Sequence, residues 1–126
     1  MAKGIQTSNG KAFEYACVDS LYRMLSENQE VVIEESPQLE TARGFFENAT
    51  ADLKESIIKA ADAASRVIVR LEPQLTYPES NSPLYLSLQT DAKGQAGDVR
   101  DVLCVRNQNG WEVGFSCKHN HHAVKH

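Results

Sequence analysis

Apolar residues recur along this chain first with helical and then with strand spacing. From Lys11 to about Glu27 the steps are three and four, which brings Phe13, Cys17, Val18, Leu21, Met24 and Leu25 onto one broad face and predicts an amphipathic helix. Residues 1–9 read as a frayed lead into Ser8-Asn9-Gly10, a helix N-cap region. Val31-Val32-Ile33 is too short to assign, and Glu34 to Pro37 interrupts the pattern. Helical spacing resumes from Leu39 to Leu71, with Gly44 and Ser65 as its weak points. That stretch reads as one long helix packed on a core, as a helix pair with a turn in it, or as a helix with Val67-Ile68-Val69 closing as a strand. Pro73 ends it.

After a turn-rich loop, Leu84 to Gln89 alternates apolar and polar, the pattern expected of the first strand of a sheet. Val99 to Arg106 is rich in β-branched and aliphatic residues. Asn107-Gln108-Asn109-Gly110 signals a hairpin turn, because Asn-Gly readily adopts the positive φ a tight turn needs. Trp111 to Lys118 then alternates, with Trp111, Val113, Phe115 and Cys117 on one face and Glu112, Gly114, Ser116 and Lys118 on the other.

Composition narrows the class. The 126 residues, 41% hydrophobic and 24% charged, suit one soluble α/β domain spanning 1–126. No apolar run approaches the roughly 20 residues of a membrane helix, and MAKGIQTSNGK lacks the apolar core of a secretory leader, so a cytoplasmic location is expected. The three cysteines, Cys17, Cys104 and Cys117, sit in apolar patterns without CxxC spacing and read as reduced core residues. A net charge of −4 argues against a generic nucleic-acid coat. It still allows an enzyme that meets DNA through metal ions and a few local cations. HNHHAVKH carries no helix stop signal, so the chain is expected to be truncated at its C-terminus.

Two acids and a lysine then stand out. Glu14 falls in the middle of the apolar face of the first helix, where a carboxylate costs several kcal/mol unless paired or bound to a cation. In the hairpin, an even-numbered loop sets Asp101 opposite Ser116 or Lys118 on the polar face, whereas a three-residue loop would set Asp98 there. Asp101 is favoured because it directly heads Val102-Leu103-Cys104-Val105, with Asp98 in reserve. An aspartate heading a strand, a turn, and a second strand ending in x-x-Lys is the layout of a PD-(D/E)xK nuclease site. There a carboxylate and a backbone carbonyl, here that of Cys117, hold a divalent metal while the lysine orients or activates water. The position two before the lysine should be acidic and is Ser116, so Glu14 is the candidate to supply the missing carboxylate.

The runs GDVRDVLCV and WEVGFSCKHNHHAVKH, together with GKAFEYA, resemble the type II restriction endonucleases of the HaeIII kind. The resemblance reaches both ends of the chain, and the SxKHNHxAxKH string is far more specific than the bare nuclease pattern. It implies a restriction-endonuclease-like α/β core, helices on a central mixed β-sheet, incomplete in this chain. It further implies Mg2+-dependent cleavage of double-stranded DNA at GGCC with blunt ends. Carried onto this sequence, Asp101 is the metal-binding aspartate, Lys118 the catalytic lysine and Glu14 the helix-borne acid. A palindromic target favours a homodimer with two symmetric sites.

The tail admits rival readings. His122 and His126 stand four apart, as zinc ligands on a helix do, but no cysteine or acid in the tail completes a site, so no zinc is expected. Ser116, His119, Asn120, His121 and Lys125 are instead the candidates for DNA contact. The alternative to a nuclease is a non-catalytic α/β module that binds DNA or another protein.

Overall fold

The computed structural model describes residues 2–76, 83–89, 101–106, 110–118 and 123–125. Helix α1 runs from Ala2 to Leu25 and ends close to where its spacing predicted, but it begins well before Lys11. Ser8, Asn9 and Gly10 lie inside it rather than capping it. Each costs at most about 1 kcal/mol in a helix, whereas burying a side chain such as Phe13 contributes about 1.5–3 kcal/mol. Phe13, Cys17, Val18 and Leu21 are all buried, and a helix anchored there extends backwards cheaply.

Of the readings of the stretch from Leu39 to Leu71, the helix pair is the one that forms. Helix α2 spans Pro37–Glu47, with Ser36 Oγ accepting from the Leu39 N–H and proline in its first turn. Helix α3 spans Ala51–Leu71, capped by Thr50 Oγ1, which accepts from the Leu53 N–H. The break falls at neither Gly44 nor Ser65. It falls where Asn48 Nδ2 donates to the Gly44 carbonyl at 2.9 Å and Thr50 caps the next helix, so side chains compete for the backbone. Val67, Ile68 and Val69 belong to α3, not to a strand.

Val31–Ile33 forms a strand after all, β1, and pairs in parallel with β2, Leu84–Leu88. The strand expected to open the sheet is therefore its second. Antiparallel partners follow: β3, Val102–Arg106; β4, Trp111–Lys118; and β5, Ala123–Lys125. The five strands are ordered as in the chain, in a mixed sheet. Leu86, Leu88, Val102, Cys104, Val113 and Phe115 form one core with the buried residues of the three helices. Helix α1 lies on β1 to β4 and is flanked by α2 and α3. The protein is thus α/β, with helices packed on a mixed sheet. Among the described residues, no helix is long and apolar enough to cross a membrane.

A polar tie fixes α1 to α3. The buried Ser20 hydroxyl donates to Asp62 Oδ1 at 2.6 Å, and Arg23 Nη2 donates to the same oxygen at 3.1 Å. Burial pushes the Asp62 carboxyl up, but these two bonds and the Arg23 charge outweigh it and hold the pKa below its ordinary value. A lowered carboxylate pKa stabilises the fold above the unfolded-state value and ceases to do so as pH falls through the folded one. The stability gap between wild type and Asp62→Ala is therefore expected to be widest near neutrality and to close below about pH 4, as read by urea unfolding across that range.

Candidate active site

The hairpin that carries the candidate chemistry closes in the even register. Arg106 pairs with Trp111 and Val102 with Phe115, so four residues separate the strands, and Gly110 takes the positive φ of 69° that the Asn-Gly signal predicted. Asp101 stands just ahead of β3. Its N–H donates to the Phe115 carbonyl at 2.7 Å, and its own carbonyl accepts from the Gln89 N–H at 2.8 Å. Phe115 is the ladder partner of Val102, so the backbone leaves the regular ladder at Asp101 in the manner of a β-bulge. The main chain of this aspartate is held from both flanking strands.

Its side chain meets β4. Ser116 Oγ donates to Asp101 Oδ2 at 3.4 Å, and Ser116 is only 6% exposed while Asp101 is half-buried. Ser116 was expected to face DNA. It is instead buried with its hydroxyl turned to the aspartate. In β4 the backbone of Lys118 follows two residues later, paired with Ala123, and Cys117 pairs with Val124. Lys125 pairs with Ser116, which brings the backbone of β5 alongside the same row.

Glu14 sits on α1, neither exposed nor buried, one helical turn before Val18 and two before Leu21. Both of those are fully buried, so the carboxylate does lie in the sector that faces the core. It is carried by the helical layer, whereas Asp101 and Ser116 belong to the sheet. Asp98, His119, Asn120 and His121 lie outside the described residues, as do His122 and His126.

Among the described residues, no three His, Cys, Asp or Glu side chains gather as a ready-made metal cage. The donors at hand are the Asp101 carboxylate and main-chain carbonyls of β4, hard oxygens throughout. Magnesium is satisfied by one or two carboxylates and otherwise keeps water and phosphate oxygens, so this donor set fits it in kind. Structural zinc asks for nitrogen and sulfur. The two cysteines whose side chains are described, Cys17 and Cys104, are buried and form no disulfide.

Two features of the region escaped the pattern reading. Gln89, read only as the last polar position of a strand, supplies the N–H that holds the Asp101 carbonyl. Arg106, read as the end of a β-prone run, is 1% exposed and, among the described residues, the largest fully buried side chain. Its Nη2 donates to Gln29 Oε1 at 2.7 Å and to the carbonyls of Gln74 and Leu75 at 3.1 and 3.3 Å, and the guanidinium lies 5.9 Å from the Trp111 ring centroid. It fastens the far end of β3 to the α1–β1 connection and to the 3₁₀ turn at Pro73–Leu75. The alternation that put Arg106 on the face of Cys104 and Val102 was the available signal.

Against known proteins, residues 10–126 match the sequence profile described as HaeIII restriction endonuclease. The type II restriction enzyme HaeIII of Haemophilus aegyptius is 38% identical over 118 residues, covering 94% of this chain and 36% of that relative. The chain spans about a third of the length of the curated relative it matches. No solved structure matches it.

Proposed function

Because the chain belongs to the HaeIII restriction endonuclease family, we propose that the protein is a Mg2+-dependent type II endonuclease that hydrolyses double-stranded DNA. By resemblance the target is GGCC, cut to blunt ends by a homodimer in the cytoplasm. The observation that carries this reading is Asp101, held by main-chain bonds from Gln89, just past β2, and from Phe115 of β4, at the point where β4 runs on to Lys118.

Asp101 holds the cation in this reading, helped by the Cys117 carbonyl, with Glu14 supplying the second carboxylate from α1 and Asp98 in reserve. Magnesium, when bound, neutralises phosphate charge and lowers the pKa of water. Lys118 orients the attacking water and stabilises developing hydroxide. His119, Asn120, His121 and Lys125 contact the DNA. The buried Arg106 anchors the hairpin that carries Asp101 and Lys118.

The test is cleavage of a plasmid rich in GGCC by the full-length protein. Fragments ending at GGCC are expected with magnesium present and none once EDTA removes it. Cutting that survives EDTA sinks the metal-dependent reading. DNA that is bound but never cut assigns the protein to the non-catalytic alternative.

A further inference from the structure

Helix α3 carries more apolar surface than the core takes up. Its Ile57, Ala61, Ala64 and Ile68 are buried, but the apolar sector runs on beside them as Ala60, Ala63, Val67 and Leu71. Val67 is 43% exposed and Leu71 53%, the most exposed large apolar side chains among the described residues. Ser56 and the two alanines are short, and here the face sinks into a shallow depression of about 520 Å3 lined by Asp52, Glu55, Ser56, Lys59, Ala60 and Ala63. That lining repeats the hole, at i, i+3, i+4 and i+7, into which a side chain of a facing helix fits. Asp52, Glu55, Ser56 and Lys59 make one such hole, and Ser56, Lys59, Ala60 and Ala63 the next.

Charge decides which helix suits the face. Asp52 and Glu55 stand near the start of α3 and Arg66 and Arg70 near its end, all exposed, with Lys59 Nζ 3.3 Å from Glu55 Oε1. This polarity matches the dipole of the helix itself, but the dipole does not account for the exposed Val67 and Leu71. It also makes the face complementary to itself in the antiparallel sense.

We propose that α3 is the face through which a second copy of this chain binds, the two helices antiparallel about a two-fold axis at the level of Ala61. Such a contact is isologous, so every pairing occurs twice. Asp52 then lies opposite Arg70 of the partner subunit, and Val67 enters the hole that Asp52, Glu55, Ser56 and Lys59 form there. A parallel pairing would set arginine against arginine. The proposal names the interface of the homodimer in the proposed function and rests on that reading. One helix face is small against the roughly 800 Å2 per partner of a standard interface, so the dimer is expected to depend on concentration.

The experiment is sedimentation equilibrium of the full-length protein over about 1–100 μM, beside urea unfolding of each variant at a concentration where it is monomeric. Wild type is expected to pass from monomer to dimer within that range. Val67→Glu is expected to weaken association at least about tenfold and to leave the urea midpoint unchanged, because the side chain is exposed in the monomer. Asp52→Arg and Arg70→Asp are each expected to weaken it, and the double variant to restore it, since the swapped pair attracts again. The helix dipole acting alone would make the double variant worse than either single change.

A dimer indifferent to Val67→Glu, or reversals that the swap does not rescue, overturns this interface and leaves the homodimer standing. A monomer throughout the range removes the homodimer and the interface together. A lowered midpoint in Val67→Glu shows that the rest of the full-length chain covers α3, and overturns the inference as well.

Discussion

Replacing Asp101 by alanine is expected to slow magnesium-dependent DNA cleavage by at least about 10³-fold, which corresponds to about 4 kcal/mol of transition-state stabilisation. The fold should survive the change. The two hydrogen bonds that fix residue 101, from its N–H to Phe115 and to its carbonyl from Gln89, are main-chain bonds that alanine keeps. The side chain is half-buried rather than part of the core, so little packing is lost. A large fall in the single-turnover rate with an unchanged unfolding midpoint is therefore the expected signature. Near-wild-type cutting by Asp101→Ala would transfer the role to Asp98, which the same assay on Asp98→Ala would reveal.

Replacing Arg106 by alanine is expected to destabilise the fold by about 4 kcal/mol, a large share of the 5–15 kcal/mol that holds a typical domain together. The guanidinium serves Gln29 Oε1 and the carbonyls of Gln74 and Leu75. Gln29 Nε2 also donates to the Leu75 carbonyl, so that acceptor keeps a partner, but the other two lose theirs. Those two acceptors are part-buried, so water replaces the guanidinium there in part, and the larger cost is the cavity left by the vacated volume. Burial pushes the pKa of the guanidinium down, yet arginine starts so high that it stays charged at neutral pH. Lysine keeps the charge but not the fork, and should recover only part of the loss. Methionine fills much of the volume and donates nothing, so it separates packing from hydrogen bonding. Urea unfolding checks all three; a stability for Arg106→Ala within about 1 kcal/mol of wild type would refute the anchoring role.

Those two residues were not equally legible. Asp101 could be chosen from the sequence because strand alternation and the parity of a hairpin loop are local rules. With Arg106 paired to Trp111, the loop came out even, as the favoured register required. The same local rules placed Trp111–Lys118 and Leu84–Leu88 as strands, and flagged Glu14 as an acid in a core-facing sector. They failed where competing local signals differ by about 1 kcal/mol or less. Ser8-Asn9-Gly10 did not start α1, and the break before α3 fell at Asn48–Thr50 rather than at Gly44 or Ser65. Val31–Ile33 was unreadable because three apolar residues become a strand only through a partner, and that partner, β2, lies fifty residues on.

The sequence by itself determined the α/β class and the hairpin with its register. These follow from side-chain periodicity and turn chemistry, which act over a few neighbouring residues. Only the tertiary structure decided that the main chain of Asp101 is held by Phe115 and Gln89, that Ser116 is turned inward to it, and that Arg106 is buried. Each of those outcomes depends on which distant segments cover a residue and which acceptors they bring: Gln89 to Asp101, and Gln29 and the Pro73–Leu75 turn to Arg106. Alternation sets Arg106 on the core face, but the acceptors that let a guanidinium be buried there are a property of the assembled layers, and no local pattern in the chain encodes them.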